Sequence, residues 1–366
     1  MDLRTLSLGS RLESTASGAG TVTFVGKDYV GIAFDDGKEA LIRRDDLARP
    51  TAVLSPQTAQ QGAPWPQSTF VAEADDAQHL PGSHWGPFVE DSQQIVAQLP
   101  QVVPHALVQT GYGADRPPAR PAPADWPQGF GLVWPLREQG LAFVLCPGPD
   151  GNRLVSLFPF FANGSQHTLT VHRVLVWRSG LEAQITAGWG DGEVTFFDTQ
   201  YLINRAWYEA GQTCDFILAG MAYAAAPAQR HEWTINRHPD ELAWLNLRRK
   251  PGEQAHEASY TLGCEGAALF LPLADGDVDD YRFHAPVKKV SAFNDWLGQD
   301  GWRVRATVLH FGNEDGDLDI LITRRAWSGT APPQVGQDIE GHLWLQGRLW
   351  MPGSAKRKAA PPVRRA

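Results

Sequence analysis

Asp191-Gly192-Glu193-Val194-Thr195-Phe196-Phe197-Asp198-Thr199 and Asp315-Gly316-Asp317-Leu318-Asp319-Ile320-Leu321-Ile322-Thr323 are two versions of one phrase. Each opens on Asp-Gly, runs into apolar residues and closes on Thr. Each is followed by a Gly-Gln pair, Gly211-Gln212 after the first and Gly336-Gln337 after the second. Gly192 and Gly211 are 19 positions apart, Gly316 and Gly336 are 20 apart. Asp-Gly favours tight turns, and alternating apolar runs favour half-buried strands. The matched spacing predicts a small β unit used twice, over 166–238 and 281–352.

Strand candidates around the phrases extend this reading. In the first copy Leu169, Val171, Val174 and Val176 alternate ahead of Glu182 to Ala187; in the second, Tyr281 to Val290 and Trp302 to Phe311 precede the phrase. Between the copies, 239–280 reads as a connector whose Glu241–Arg248 stretch is a helix capped by Asp240 after Pro239. Upstream, 69–165 is a mixed region. Ile95, Val96, Leu99 and Val102 have helical spacing. Gly131–Trp134, Leu141–Leu145 and Leu154–Phe158 are strand candidates, with a turn at Pro147–Asn152 between the last two. Within it, 114–128 is a Pro-rich loop. Residues 51–68 read as a linker, and 353–366 as a basic disordered tail.

The first 50 residues carry a separate signature. Gly18, Gly20-Thr21-Val22 and Val25 are followed by Val30, Ile32 and Phe34, the turn Asp35-Asp36-Gly37, and the return strand Ala40-Leu41-Ile42. This pattern resembles Tudor-like and SH3-like small barrels, modules found in bacterial helicases and transcription-coupling factors. Four to five short strands per copy, with a longer excursion after the third, resemble an OB-fold. The closing Gly336–Gly347 stretch is similar to those of uncharacterised bacterial proteins of that type. The resemblances imply a mainly β fold: an N-terminal SH3/Tudor-like barrel, then tandem OB-like β-barrels with short helices.

Composition narrows the classes. The 366 residues have a net charge of −9, with 36 Gly, 27 Pro and 14 Trp. A broad basic face that coats nucleic acid is disfavoured by that charge. Cys146, Cys214 and Cys264 form no CxxC and no close pair, so neither a zinc site nor a disulfide framework is indicated. No apolar run approaches the roughly 20 residues of a membrane helix, and Met1–Leu6 lacks a basic start followed by an apolar core. A cytoplasmic protein without membrane contact is expected.

Motifs for chemistry are weak. His231-Glu232 and His238 lack the i, i+4 histidines of a helical zinc site. Asp275–Asp280 and Asp315–Asp319 start like calcium loops but miss the glycine and glutamate such loops need, so both read as solvated turns. Gly111-Tyr112-Gly113 is no dinucleotide fingerprint, and neither a GxSxG nor a P-loop occurs. Asp198 reads as a strand-end acid that bonds backbone amides, because the second copy has Ile322 in its place. No catalytic residue, metal or cofactor is assigned.

The expected function is that of a non-enzymatic adaptor or accessory subunit of a bacterial assembly, with a protein partner. One alternative is a single-stranded nucleic-acid binder; another is an enzyme with residues in 69–240. Contact residues are expected at Arg303, Arg305, Arg324, Arg325, Trp327 and Trp344, where arginines beside tryptophans suit a single strand. Phe34 and Asp36 are expected to serve the N-terminal module.

Overall fold

A computed structural model describes residues 8, 11–14, 18–35, 37–44, 83–109, 126–177, 179–190, 192–209, 211–229, 232–250, 252–273, 276–312 and 314–350. The linker at 51–68, most of the Pro-rich loop, the basic tail and Asp36 lie outside them. The fold is mainly β, and the chain divides into two compact units.

The first unit joins the N-terminal segment to 229–265. Strands β1 (Arg11–Ser14), β2 (Gly18–Val25), β3 (Tyr29–Phe34) and β4 (Glu39–Arg43) form an antiparallel meander. Val22, Val30, Ile32 and Phe34 fill its core, as their alternation requires. To this the later segment adds the hairpin β13 (Glu232–Asn236) and β14 (Ser259–Gly263) and the helix α3 (Pro239–Leu247). Trp244 of α3 lies so close to Gly31 that a Cβ there would collide with its indole. The expected connector therefore breaks in two, its 239–265 part returning to the N-terminal module. The helix is capped by His238, whose ring accepts from the Asp240 amide, and not by Asp240. Asp240 instead accepts from the amides of Asp28 (2.6 Å) and Tyr29 (3.1 Å).

The second unit contains two sheets. The smaller runs β5 (Leu107–Val108), β6 (Phe130–Pro135), β7 (Gln139–Gly148), β8 (Gly151–Phe161). Helix α1 (Gln93–Val102) packs over it through Ile95 and Val102, matching the sequence reading of both.

The larger sheet has nine strands. The first repeat supplies β9 (Ser165–Val176), β10 (Ala183–Trp189), β11 (Gly192–Asp198) and, after the one-turn helix α2 (Tyr201–Asn204), β12 (Thr213–Pro227). The second supplies β16 (Asp280–Trp296), β17 (Gln299–Phe311), β18 (Glu314–Thr323) and β19 (Asp338–Leu349), with β15 (Leu269–Pro272) on the edge.

Tracing the pairings gives two closed circuits of five strands. One runs β9, β10, β11, β19, β12 and back to β9. The other runs β16, β17, β18, β12, β19 and back to β16. Each repeat's fourth strand is thus the fifth strand of the other's circuit. In both circuits the third strand runs parallel to the borrowed one, β11 to β19 and β18 to β12. The two segments expected as separate tandem barrels therefore share one sheet. Their side chains merge into one core, in which Phe196, Phe216, Leu218, Val304, Ile320 and Leu343 are all fully buried.

Hydrogen bonds show that the repeat holds in register. Gly211 N–H donates to Val171 O (2.7 Å) and Val171 N–H to Gln212 O (2.9 Å); Gly336 N–H donates to Val287 O (2.8 Å) and Val287 N–H to Gln337 O (3.0 Å). Gly211 and Gly336 take φ of 77° and 82°, a left-handed conformation that favours glycine. From this anchor, Val171 pairs with Ala187 and Ala187 with Val194, while Val287 pairs with Ala306 and Ala306 with Leu318. Val194 thus matches Leu318, which sets Gly192 on Gly316, Asp198 on Ile322 and Thr199 on Thr323.

Candidate functional site

The arginines singled out from the sequence are engaged within the second unit. Arg303 donates to Asp319 (2.7 Å), and Arg305 binds the same carboxylate through Nε (3.0 Å) and Nη2 (2.8 Å). Asp319 is buried, not a solvated turn residue. Burial opposes its ionisation, but hydrogen bonds from Arg305 and Arg303 outweigh that and hold its pKa below the usual carboxylate range. Arg324 lies over the Trp302 ring, 5.4 Å from its centroid. Arg325 donates to Gly86 O (2.9 Å) and lies 3.3 Å from Glu90.

The rings do not form a platform either. Stacking on a base needs an exposed aromatic face, and Trp344, Trp327 and Phe34 are 0%, 8% and 8% exposed. Trp327 spends its indole N–H on Ala331 O (2.7 Å), and Phe34 belongs to the core of the other unit.

A different group of side chains converges where the circuits share strands. Pairing between β12 and β19 steps from Ala222↔Leu343 to Ala224↔His342, leaving Tyr223 as an extra, unpaired residue. A β-bulge of this kind re-aims the side chain it carries. The Tyr223 hydroxyl donates to Asp280 Oδ1 (2.7 Å) and lies 2.6 Å from His84 Nδ1. A phenol has one hydrogen and this one goes to Asp280, so His84 Nδ1 carries the proton of the second contact. His84 stacks on Trp344 with centroids 3.8 Å apart, and the Trp344 indole donates to Asp279 Oδ2 (3.0 Å).

The chain at 277–280, expected as a solvated turn, therefore puts two carboxylates inside. Asp279 is 1% exposed and Asp280 6%. Burial, reinforced by the charge of Asp280, pushes the Asp279 pKa up to about 8. Burial also raises Asp280, against the Tyr223 hydrogen bond, and burial and then Asp280 push the Tyr223 phenol well above its usual range. These groups form a polar relay from His84 through Tyr223 to Asp280, with Asp279 held beside it by the Trp344 indole.

One step further along the same strands lies a half-open cleft of about 290 Å³. Small residues, Ala224, Ala226 and Gly341 among them, line it together with Arg282, Glu340 and His342. Arg282 and His342 are directly paired across β16 and β19, so their side chains leave the same face. A Cβ on Gly341 would collide with the Ala224 carbonyl oxygen, so only glycine lets these strands meet there.

Two further groups test for chemistry. Asp198 accepts from the Gln200 amide (2.9 Å), the strand-end role read from sequence, and also from the Tyr208 hydroxyl. Burial raises its pKa to about 7, against those two bonds. In the first unit, donor atoms of Asp28, His238 and Asp240 lie within 4.8 Å of one another, near enough to share a cation. His238 Nδ1, however, accepts from the Asp240 amide (3.2 Å) while Nε2 faces Asp28 (3.3 Å). That tautomer places the ring hydrogen on Nε2, where a metal would need a lone pair. The arrangement fits a helix cap better than a metal centre.

Comparison with family models, with curated proteins and with solved structures finds no match to this chain. Sequence reasoning missed Tyr223, Asp279, Asp280, Arg282 and His342. One signal was available: acids at 279 and 280 stand immediately before the apolar alternation of β16, where burial begins.

Proposed function

We propose that the protein is a non-enzymatic interaction protein, an adaptor or accessory subunit of a larger assembly, with a protein as its partner. On this reading the N-terminal meander is an SH3- or Tudor-like module. The two circuits are OB-like barrels fused through β12 and β19; the parallel pairing of third and fifth strands supports that likeness, as does α2 between the third and fourth strands of the first circuit.

The observation that carries the reading is the commitment of Arg303 and Arg305 to buried Asp319. A strand of nucleic acid would have to compete for these guanidiniums with a buried carboxylate that makes no other ion pair among the described residues. With a net charge of −9, nucleic-acid affinity would rest on a few phosphate contacts and be weak at physiological salt.

The test has two arms. Affinity purification from the native host is expected to return a stoichiometric partner that survives high salt, while a labelled single-stranded oligonucleotide shows no saturable binding at low salt. Oligonucleotide binding lost on Arg303→Ala with Arg305→Ala, and no protein partner, would overturn the reading.

A further inference from the structure

We infer that α3 is a displaceable ligand carried within the chain, and that the face of the N-terminal meander it covers receives a partner's helix with an acid and a tryptophan four residues apart. This rests on the interaction reading above and names the kind of partner the N-terminal module takes.

The covered face is built for those two side chains. Asp240, Trp244 and Arg248 follow one another at intervals of four, so they form one stripe along α3. Asp240 Oδ2 accepts from the consecutive amides of Asp28 (2.6 Å) and Tyr29 (3.1 Å). Two consecutive amides converging on one oxygen make a seat for an anion. The Trp244 indole lies against Gly31, and Arg248 pairs with Glu39. Two glycines hold the seats open: a Cβ on Gly26 would collide with the Asp240 carboxylate, and one on Gly31 with the Trp244 ring. The face therefore accepts an acid and an indole about one helical turn apart.

The present occupant is held lightly. Val22, Val30, Ile32 and Phe34, with Val25, Ala40 and Ile42 against them, make the core of the meander, and no residue of 229–265 belongs to it. Among the described residues that core is complete without α3. The helix itself has no fully buried residue, and Leu247 is 68% exposed. The hairpin β13–β14 is a sheet of its own, joined to the meander by no ladder. The Trp244 indole N–H is buried without an acceptor among the described residues, and an unmet donor of this kind weakens the hold of the helix that carries it. A partner helix that fills both seats and supplies an acceptor takes its place.

The probe is a labelled synthetic peptide of residues 237–250, titrated into the full chain and followed by fluorescence anisotropy. Tethering gives α3 an effective concentration on the order of millimolar, so the wild-type chain should bind the peptide weakly. The full chain opened by Asp240→Ala with Trp244→Ala should bind it about tenfold or more tightly. A peptide carrying the same two substitutions should bind neither chain, and Gly31→Leu added to the opened chain should abolish binding. Equal affinity for wild-type and opened chains, equal binding of the substituted peptide, or loss of the meander's amide signals in the opened chain would overturn the inference. Hydrogen exchange tests the wild-type chain without any substitution: amides of α3 should exchange about tenfold or more faster than those of β3. Equal protection would mean that α3 leaves only when the module unfolds, and would overturn the inference too. A stoichiometric host partner captured equally by wild-type and opened chains would sink this site and leave the interaction reading standing.

Discussion

Tyr223 hands its single phenolic hydrogen to Asp280 across 2.7 Å and receives a hydrogen bond from His84 at 2.6 Å. The contact ties the bulge of β12 to the first residue of β16 and to the short turn Ser83–Trp85, three places far apart in the sequence. Removing the hydroxyl in Tyr223→Phe leaves Asp280 and His84 facing an apolar edge. The expected loss is about 1–3 kcal/mol of unfolding free energy, the cost of a buried polar group losing its partner. Urea denaturation measures it, and no loss would mean that the relay carries no stability.

The buried acids set a pH dependence. Asp279 has its pKa raised from 3.8 to about 8 and Asp198 from 3.8 to about 7. In both, the folded state holds its proton more tightly than the unfolded chain. Their contribution is fully present below 3.8 and is lost as the pH rises through the folded values. Stability measured by denaturant melts should therefore decline between about pH 4 and pH 8, and Asp279→Asn should flatten the decline. An unchanged slope in Asp279→Asn would place the titration elsewhere.

Arg303, Arg305 and Asp319 form an unequal trio. The arginine side chains are 36% and 40% exposed, that of Asp319 only 2%. Losing the acid lets the guanidiniums rehydrate, whereas losing both arginines strands a buried charge. Arg303→Ala with Arg305→Ala should thus cost more than Asp319→Ala, roughly 3 kcal/mol or above against about 1–2. Equal costs by chemical denaturation would show that Asp319 reaches water.

Gly211 and Gly336 occupy matching turns with matching φ. Alanine at either position must enter the left-handed region at roughly 1–2 kcal/mol. The two substitutions should destabilise by similar amounts, within about 0.5 kcal/mol, and add when combined, since distant sites act independently. Thermal melts of the two single variants and the double variant check both statements.

Much of the large sheet was legible because strand chemistry is local. The Gly192 and Gly316 phrases, the Gly-Gln pairs and the alternation of Val171 and Val287 mark corresponding places in both repeats, and the pairings confirm them residue by residue. The exchange of fifth strands left no local trace, because β12 and β19 look like any strand that closes its own repeat. Nor does Pro239–Leu247 announce that it packs on β3, which is some two hundred residues earlier; its Trp244 meets Gly31 only in the folded unit. Trp344 and Phe34 were read as contact residues from side-chain type alone, and their inward direction is set by partners across the sheet. The relay was hidden for another reason. A bulge at Tyr223 breaks the period-two rule by which Ala222, Tyr223 and Ala224 would be sorted to faces.

The account turns on β12 and β19 each completing the other repeat's circuit, and the isolated first repeat tests this most directly. A polypeptide of residues 166–238 lacks β19, so its circuit stays open between β11 and β12. The account predicts collapsed amide dispersion in its NMR spectrum and no cooperative melt. A well-dispersed spectrum with a sharp thermal transition would show that the repeat closes on its own and would contradict the shared-strand architecture.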